Sequence, residues 1–270
     1  MNSLLADFRL AVLLIARSRL WLIAASLAGL LASIAWLSAQ FSPRQPATVA
    51  LDVGLSFIRL VVPVLAVLHI QELLAREVDR RQILTSLTYP RSRAVFLVAR
   101  YAAVVAVAAG LTLLLAMVLA GVVGLAGGGY KQSTPVALGL PYALTIGSAV
   151  LDFAVVAAFA TALAAVATTP NLVLLGGIGF MIAARSASTI VQLLEREHDL
   201  VKGAQWYQQG LQWVQWILPD LAALDVRPVA LYGKLEMLPQ APWALVLMAL
   251  GYISVLLILA CMRFERRQFA

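Results

Sequence analysis

Charge is scarce in this chain of 270 residues: 12% are Asp, Glu, Lys or Arg, where a soluble globular domain carries about a quarter. With 62% hydrophobic residues there is no room for a separately folded water-soluble domain. Cysteine is nearly absent as well. Cys261 is the only one, which excludes an intramolecular disulfide and argues against cysteine-rich metal sites. Histidine occurs twice: His69 ends the second apolar run and His198 lies in a polar segment, so neither reads as a base beside a nucleophilic Ser within a span. Glu195, Glu197, His198 and Asp199 cluster in sequence but read as a solvated helix end. No phosphate-binding loop is present. The nearest approach, Gly124 to Lys131, has Tyr130 where a Gly must precede the Lys. Any work drawn from ATP must therefore come from a partner.

What the chain does have is long apolar runs. A helix crosses a bilayer with about 20 apolar residues, and six runs qualify: 20–39, 53–70, 94–125, 143–167, 172–193 and 243–262. The expected fold is an all-α membrane protein, a single transmembrane domain over 1–270. The first run follows too long a polar start for a cleaved signal and is read as retained. Arginine sets the orientation. Arg9, Arg17 and Arg19 precede the first span; Arg76, Arg80, Arg81, Arg91 and Arg93 separate the second from the third; Arg263, Arg266 and Arg267 follow the sixth. The opposite loops hold Arg44, Lys131 and a segment of mixed sign, so both termini are expected in the cytoplasm. The +7 net charge is thus orientation rather than a nucleic-acid footprint.

Residues 1–19 carry Leu4, Leu5, Phe8, Val12 and Ile15 near one helical face, which suits a helix along the inner leaflet. Within the spans, Arg59, Asp152 and Arg185 are the costly groups. Arg59 and Asp152 are expected to pair, either to fix packing or to line a substrate path. Arg185 has no evident partner in sequence and suits either an anionic group or snorkelling; with Arg59 it hints at an anionic or lipid-like substrate. Arg100, near a helix end, is expected to snorkel. Gly54 and Ser56 read as small-residue packing. In the outer segment 194–242, Trp206, Trp213 and Trp216 interleave with glutamines, the pattern of amphipathic helices at the headgroup level, serving as a gate or a passive cap.

The most charged stretch is 71–93. Leu73, Leu74 and Val78, then Ile83, Leu84 and Leu87, bracket a charged centre, and Pro90 closes the segment. A soluble partner could seat it, with Glu72, Glu77, Arg80 and Arg81 supplying specificity; a solvated connector is the plain alternative.

This stretch also carries a family resemblance. Its acidic and arginine-rich start, the Leu84 to Leu87 centre and Tyr89, Pro90, Arg91, Ser92 and Arg93 before Phe96 resemble the signature of ABC-2-type transporter permeases. Similarity is closest to the copper-enzyme-maturation and gliding-motility subgroup. Pro219, Asp220 and Leu221 with Leu224 and Asp225 resemble that subgroup's Pro-Asn-Leu and Phe-Asp segment, with Asp220 and Leu224 as departures. The tail from Arg263 to Phe269 resembles its basic, aromatic end.

The resemblance implies a six-span permease of an ABC exporter in the bacterial inner membrane, paired as a homodimer. It implies alternating access driven by a separate cytosolic ATPase, which would bind ATP and Mg. Glu72, Glu77, Arg80 and Arg81 would then touch that ATPase, and Arg91 and Arg93 would anchor the returning helix. No cofactor, metal or catalytic residue is expected in this subunit. A haem-exporter-type permease and a membrane anchor that recruits a cytosolic protein without moving substrate are the alternatives.

Overall fold

The computed structural model describes residues 3–17, 19–75, 92–128, 136–196, 218–239 and 241–266, and the side chains of 188–196 fall outside that description. Among the described residues the protein is all-α. In order it comprises α1 (Ser3–Arg17), α2 (Leu20–Gln40), α3 (Pro46–Ile70), a π-helical turn (Gln71–Ala75), α4 (Arg93–Gly127), α5 (Leu140–Val166), α6 (Pro170–Arg196), the short α7 (Arg227–Tyr232), a 3-10 turn (Leu235–Met237) and α8 (Pro242–Arg266). Six of these stretches are long and apolar enough to cross a membrane.

Local chemistry sets the boundaries. Arg19 has φ 60°, a left-handed conformation that breaks α1 from α2. Pro46 opens α3 and Pro141 sits in the first turn of α5, where a missing N–H costs no helix bond. The Ser92 side chain accepts from the Val95 amide at 3.4 Å and starts α4. Trp21 and Phe41, at the two ends of α2, are largely exposed. About 30 Å of helix separates them, the thickness of a bilayer's hydrocarbon core.

In lipid no water is expelled when helices meet, so close packing has to hold them together. The centre is α5, whose Ala154, Ala157, Ala158, Ala160, Ala164 and Ala165 are all buried. Such small side chains let α3, α4, α6 and α8 approach it. Against it α8 sets a single stripe, Leu245, Ala249, Ile253, Ala260 and Phe264. Gly54 on α3 makes room for Leu119 of α4, for a Cβ there would overlap the Leu119 side chain. The α4 start is tied to the α8 end: Arg93 donates to the Glu265 carbonyl at 3.2 Å, and Phe96 stacks with Phe264 at 6.4 Å between ring centres.

One expectation is revised, and two elements gain detail. Arg100 does not snorkel; it is 2% exposed and lies over the Phe96 ring, buried by protein. The face of α1 turned to the bundle is Asp7, Ala11 and Ile15, while Leu4 and Leu5 are exposed, because the helix is apolar around most of its circumference. The described part of the outer segment, which excludes Trp206, Trp213 and Trp216, packs against the helices. From Leu218 to Tyr232 the chain returns into the bundle, and Leu221, Leu224, Val226, Val229 and Ala230 are buried. Irregular backbone at such depth is tolerated where protein covers it.

Candidate functional site: a charged cleft inside the bundle

Arg59, Asp152 and Arg185 lie near the midpoints of α3, α5 and α6. Pro63 explains how two of them meet. Lacking an N–H, it leaves the Arg59 carbonyl, four residues back, without its helical partner. Arg185 supplies the missing donor, reaching that carbonyl through Nη2 at 2.9 Å. The same nitrogen pairs with Asp152 Oδ2. A helix defect in one span thus becomes a docking point for a cation from another. Asp152 is 1% exposed at its side chain, so the burial cost of its charge is high and Arg185 answers it directly.

Arg59 takes a different main partner from the one its sequence position suggests. Its Nε lies 3.9 Å from Asp152, while Nη1 pairs with Asp225 on the returning segment. Its Nη2 donates to the Leu221 carbonyl at 2.7 Å. The segment is shaped to receive it. Asp220 Oδ1 accepts from the amides of Ala222 and Ala223 at 3.1 and 3.2 Å, closing a tight turn that turns the Leu221 carbonyl toward the bundle.

Arg227 completes the cluster. It clamps Asp225 with two parallel bonds, Nε to Oδ1 and Nη2 to Oδ2, each 2.7 Å. Its Nη1 reaches Asp52 at 3.2 Å and the Ser56 hydroxyl, both on α3. Burial works against ionisation of Asp225, yet the Arg227 bonds and the charge of Arg59 outweigh it and hold the carboxyl below its ordinary value. Arg227 moves up, chiefly through its bonds to Asp225 and despite desolvation.

These groups border a cleft of about 480 Å³, lined by Ser56, Arg59, Leu60, Arg185, Ala222, Asp225 and Arg227. Leu60 is 56% exposed, so the mouth lies on the flank formed by α3 and α6 rather than on the bundle axis. Across the Leu224–Val226 stretch lies an apolar groove of about 280 Å³, whose walls include Leu144, Gly147, Leu151 and Leu245. A neck of about 10 Å³ under the same stretch borders both sets of residues. Among the described residues no group of His, Cys, Asp or Glu is arranged to hold a metal ion.

The structure therefore brings the three intramembrane residues together and adds Asp52, Ser56, Asp225 and Arg227, which sequence reasoning did not assign to a site. The signal was present in part: Pro63 four residues after Arg59 marks a free carbonyl, and Asp225 and Arg227 bring paired charges into a segment otherwise apolar. Ser56 does more than pack, since it touches Arg227. Glu72 lies in the π turn, exposed, between buried Gln71 and Leu73. Glu77, Arg80, Arg81 and Arg91 lie outside the described residues, as do Trp206, Trp213 and Trp216.

No curated protein matches the chain. Residues 10–269 match the family described as ABC-2 family transporter protein. With nearly the whole length covered and six spans around a charged interior, the chain belongs to the ABC-2 transporter family as a multi-pass, non-catalytic membrane permease.

Proposed function

We propose that this chain is the membrane subunit of an ABC exporter in a bacterial inner membrane, working as a homodimer driven by a separate cytosolic ATPase. The family match over residues 10–269 carries this reading. The sequence has no nucleotide-binding loop, so the energy must enter from outside the subunit. Both termini face the cytoplasm in this scheme, following the arginine distribution. The 71–93 segment is then cytoplasmic and receives the ATPase, with Glu72, Glu77, Arg80 and Arg81 at the contact. The π turn directly after α3 supports a mechanical role. A π turn departs from ordinary helix geometry and often sits at functional positions, and here α3 also carries Arg59. Motion at Glu72 would reach the charged cleft along one helix. In its motifs the chain stays closest to the copper-enzyme-maturation and gliding-motility permeases.

The test is reconstitution of the chain with the ATPase encoded beside it. Stimulated ATP hydrolysis in liposomes is expected, and Arg80→Glu with Arg81→Glu should weaken co-purification at least tenfold while membrane insertion stays intact. Normal ATPase binding by that double variant removes the coupling assignment. Binding without any transport would instead favour an anchoring role.

A further inference from the structure

We propose that the cleft between α3, α6 and the returning segment is a binding site for an oxyanion, a phosphate or carboxylate group, with Asp225 as the resident carboxylate that the ligand displaces. This deepens the transport reading by naming the charged end of what the permease binds. Three guanidinium groups line the space, from Arg59, Arg185 and Arg227, and one carboxylate, that of Asp225. Asp152 neutralises a second charge from behind. The third counter-charge, Asp52, is 51% exposed at its side chain and reaches only Arg227. The cleft wall thus carries three cations and one anion, with the other two counter-charges outside the lining, so an entering oxyanion meets a positive surface.

Hydrogen-bond capacity points the same way. The Nε groups of Arg59 and Arg185 are buried and have no hydrogen-bond partner, and the same holds for Asp152 Oδ1, so the donors on the side of Asp152 are set by that carboxylate and the outer nitrogens are left for a ligand. Guanidinium forks match two oxygens of one oxyanion. About 480 Å³ is enough for a headgroup. Asp225 already shows the geometry of such a ligand, since one carboxylate is held by Arg59 and by both arms of Arg227. It is carried on irregular chain rather than on a spanning helix, so yielding its place needs no span to break. With Leu60 exposed at the mouth, the route in is from the flank of the bundle.

Binding is measured on the full-length permease alone in phosphatidylcholine nanodiscs, so its failure leaves ATPase coupling standing. Dodecyl phosphate should bind saturably and raise the unfolding temperature, while dodecanol should not. Asp225→Asn, which removes the competing charge, should tighten binding about tenfold, roughly 1.4 kcal/mol, even though it removes ion pairs. Arg185→Gln should weaken binding at least tenfold, and Arg44→Gln, at a residue outside the cleft lining, should leave it unchanged. Equal binding of inorganic phosphate identifies a soluble anion as the source; competition by added phosphatidylglycerol identifies a lipid headgroup. A network that serves packing alone predicts no saturable binding of any probe. That result, or an unchanged affinity in a folded Asp225→Asn protein, overturns the proposal.

Discussion

The two halves of α3 are built on opposite principles. From Val62 to Ile70 the buried residues are Val62, Pro63, Ala66, Val67, His69 and Ile70, packed mostly through apolar side chains, and His69 keeps Nδ1 on the Leu65 carbonyl of its own helix at 2.8 Å. From Asp52 to Arg59 the same helix presents Asp52, Ser56 and Arg59 to charged partners from two other parts of the chain, α5 and the returning segment. Pro63 stands at the border, and the carbonyl it frees belongs to the charged half. The apolar half gains stability from contact area and fit. The charged half gains little net energy from its pairs, because desolvation offsets attraction, but it is intolerant of losing one member. Packing can be distributed over many contacts, whereas a buried charge depends on specific ones.

Breaking the charged half should cost the most. Asp152→Ala leaves Arg185 buried without its counter-ion and is expected to destabilise by about 3–5 kcal/mol, read as thermal unfolding in detergent. Removing both charges, with Asp152→Ala and Arg185→Met together, should recover much of that loss. If the double variant is as unstable as the single, the pair is not the source of the effect. At the apolar half, Gly177→Leu on α6 forces a side chain into the space of Val67 and should cost about 1–3 kcal/mol. An effect as large as that of Asp152→Ala would erase the distinction between the two halves.

A third prediction concerns pH and sharpens the comparison at Asp225. Its carboxyl is held below the ordinary value of 3.8. A lowered folded-state value contributes stability that is present above the unfolded value and is lost as pH falls through the folded one. Amide exchange across 218–227 should therefore stay slow from neutral pH down to ordinary carboxyl titration, then quicken below it. Asp225→Asn should make exchange faster at neutral pH and remove this acid step, while the α5–α8 contact is unaffected. The smallest effect is expected at the start of α4, where Ser92→Ala removes one exposed cap at 3.4 Å and should cost about 0.5 kcal/mol, visible only as fraying of the first turn by amide exchange.

Much of the architecture was legible in the residues. Runs of about 20 apolar residues, broken by Pro and Gly, place the spans to within a few positions of α2, α4, α5, α6 and α8. The start of α3 is earlier than its apolar run, at Pro46 rather than 53, because Asp52 can be accommodated once Arg227 lies beside it. The three mid-span charges were visible as a set, since any such residue needs an answer inside the bundle. Their partners were not. Arg59 turns mainly to Asp225, and the most exact clamp in the cluster belongs to Arg227, which lies outside every span. Residues 1–19 read as a helix along the inner leaflet, and the helix is there; the face it turns to the bundle, Asp7, Ala11 and Ile15, had no signal in the pattern, because a helix apolar nearly all round has no unique buried stripe.

Composition and local pattern established a multi-pass membrane protein and its apolar spans, and they set the expected sidedness: apolar length against bilayer thickness, arginine against loop position. How buried charge is answered emerged only in three dimensions. That depends on a segment more than 160 residues from Arg59 turning back into the bundle so that the Leu221 carbonyl and Asp225 meet it. Lipid offers no water to a stray guanidinium, so the fold must supply the partner, and no local pattern says from where.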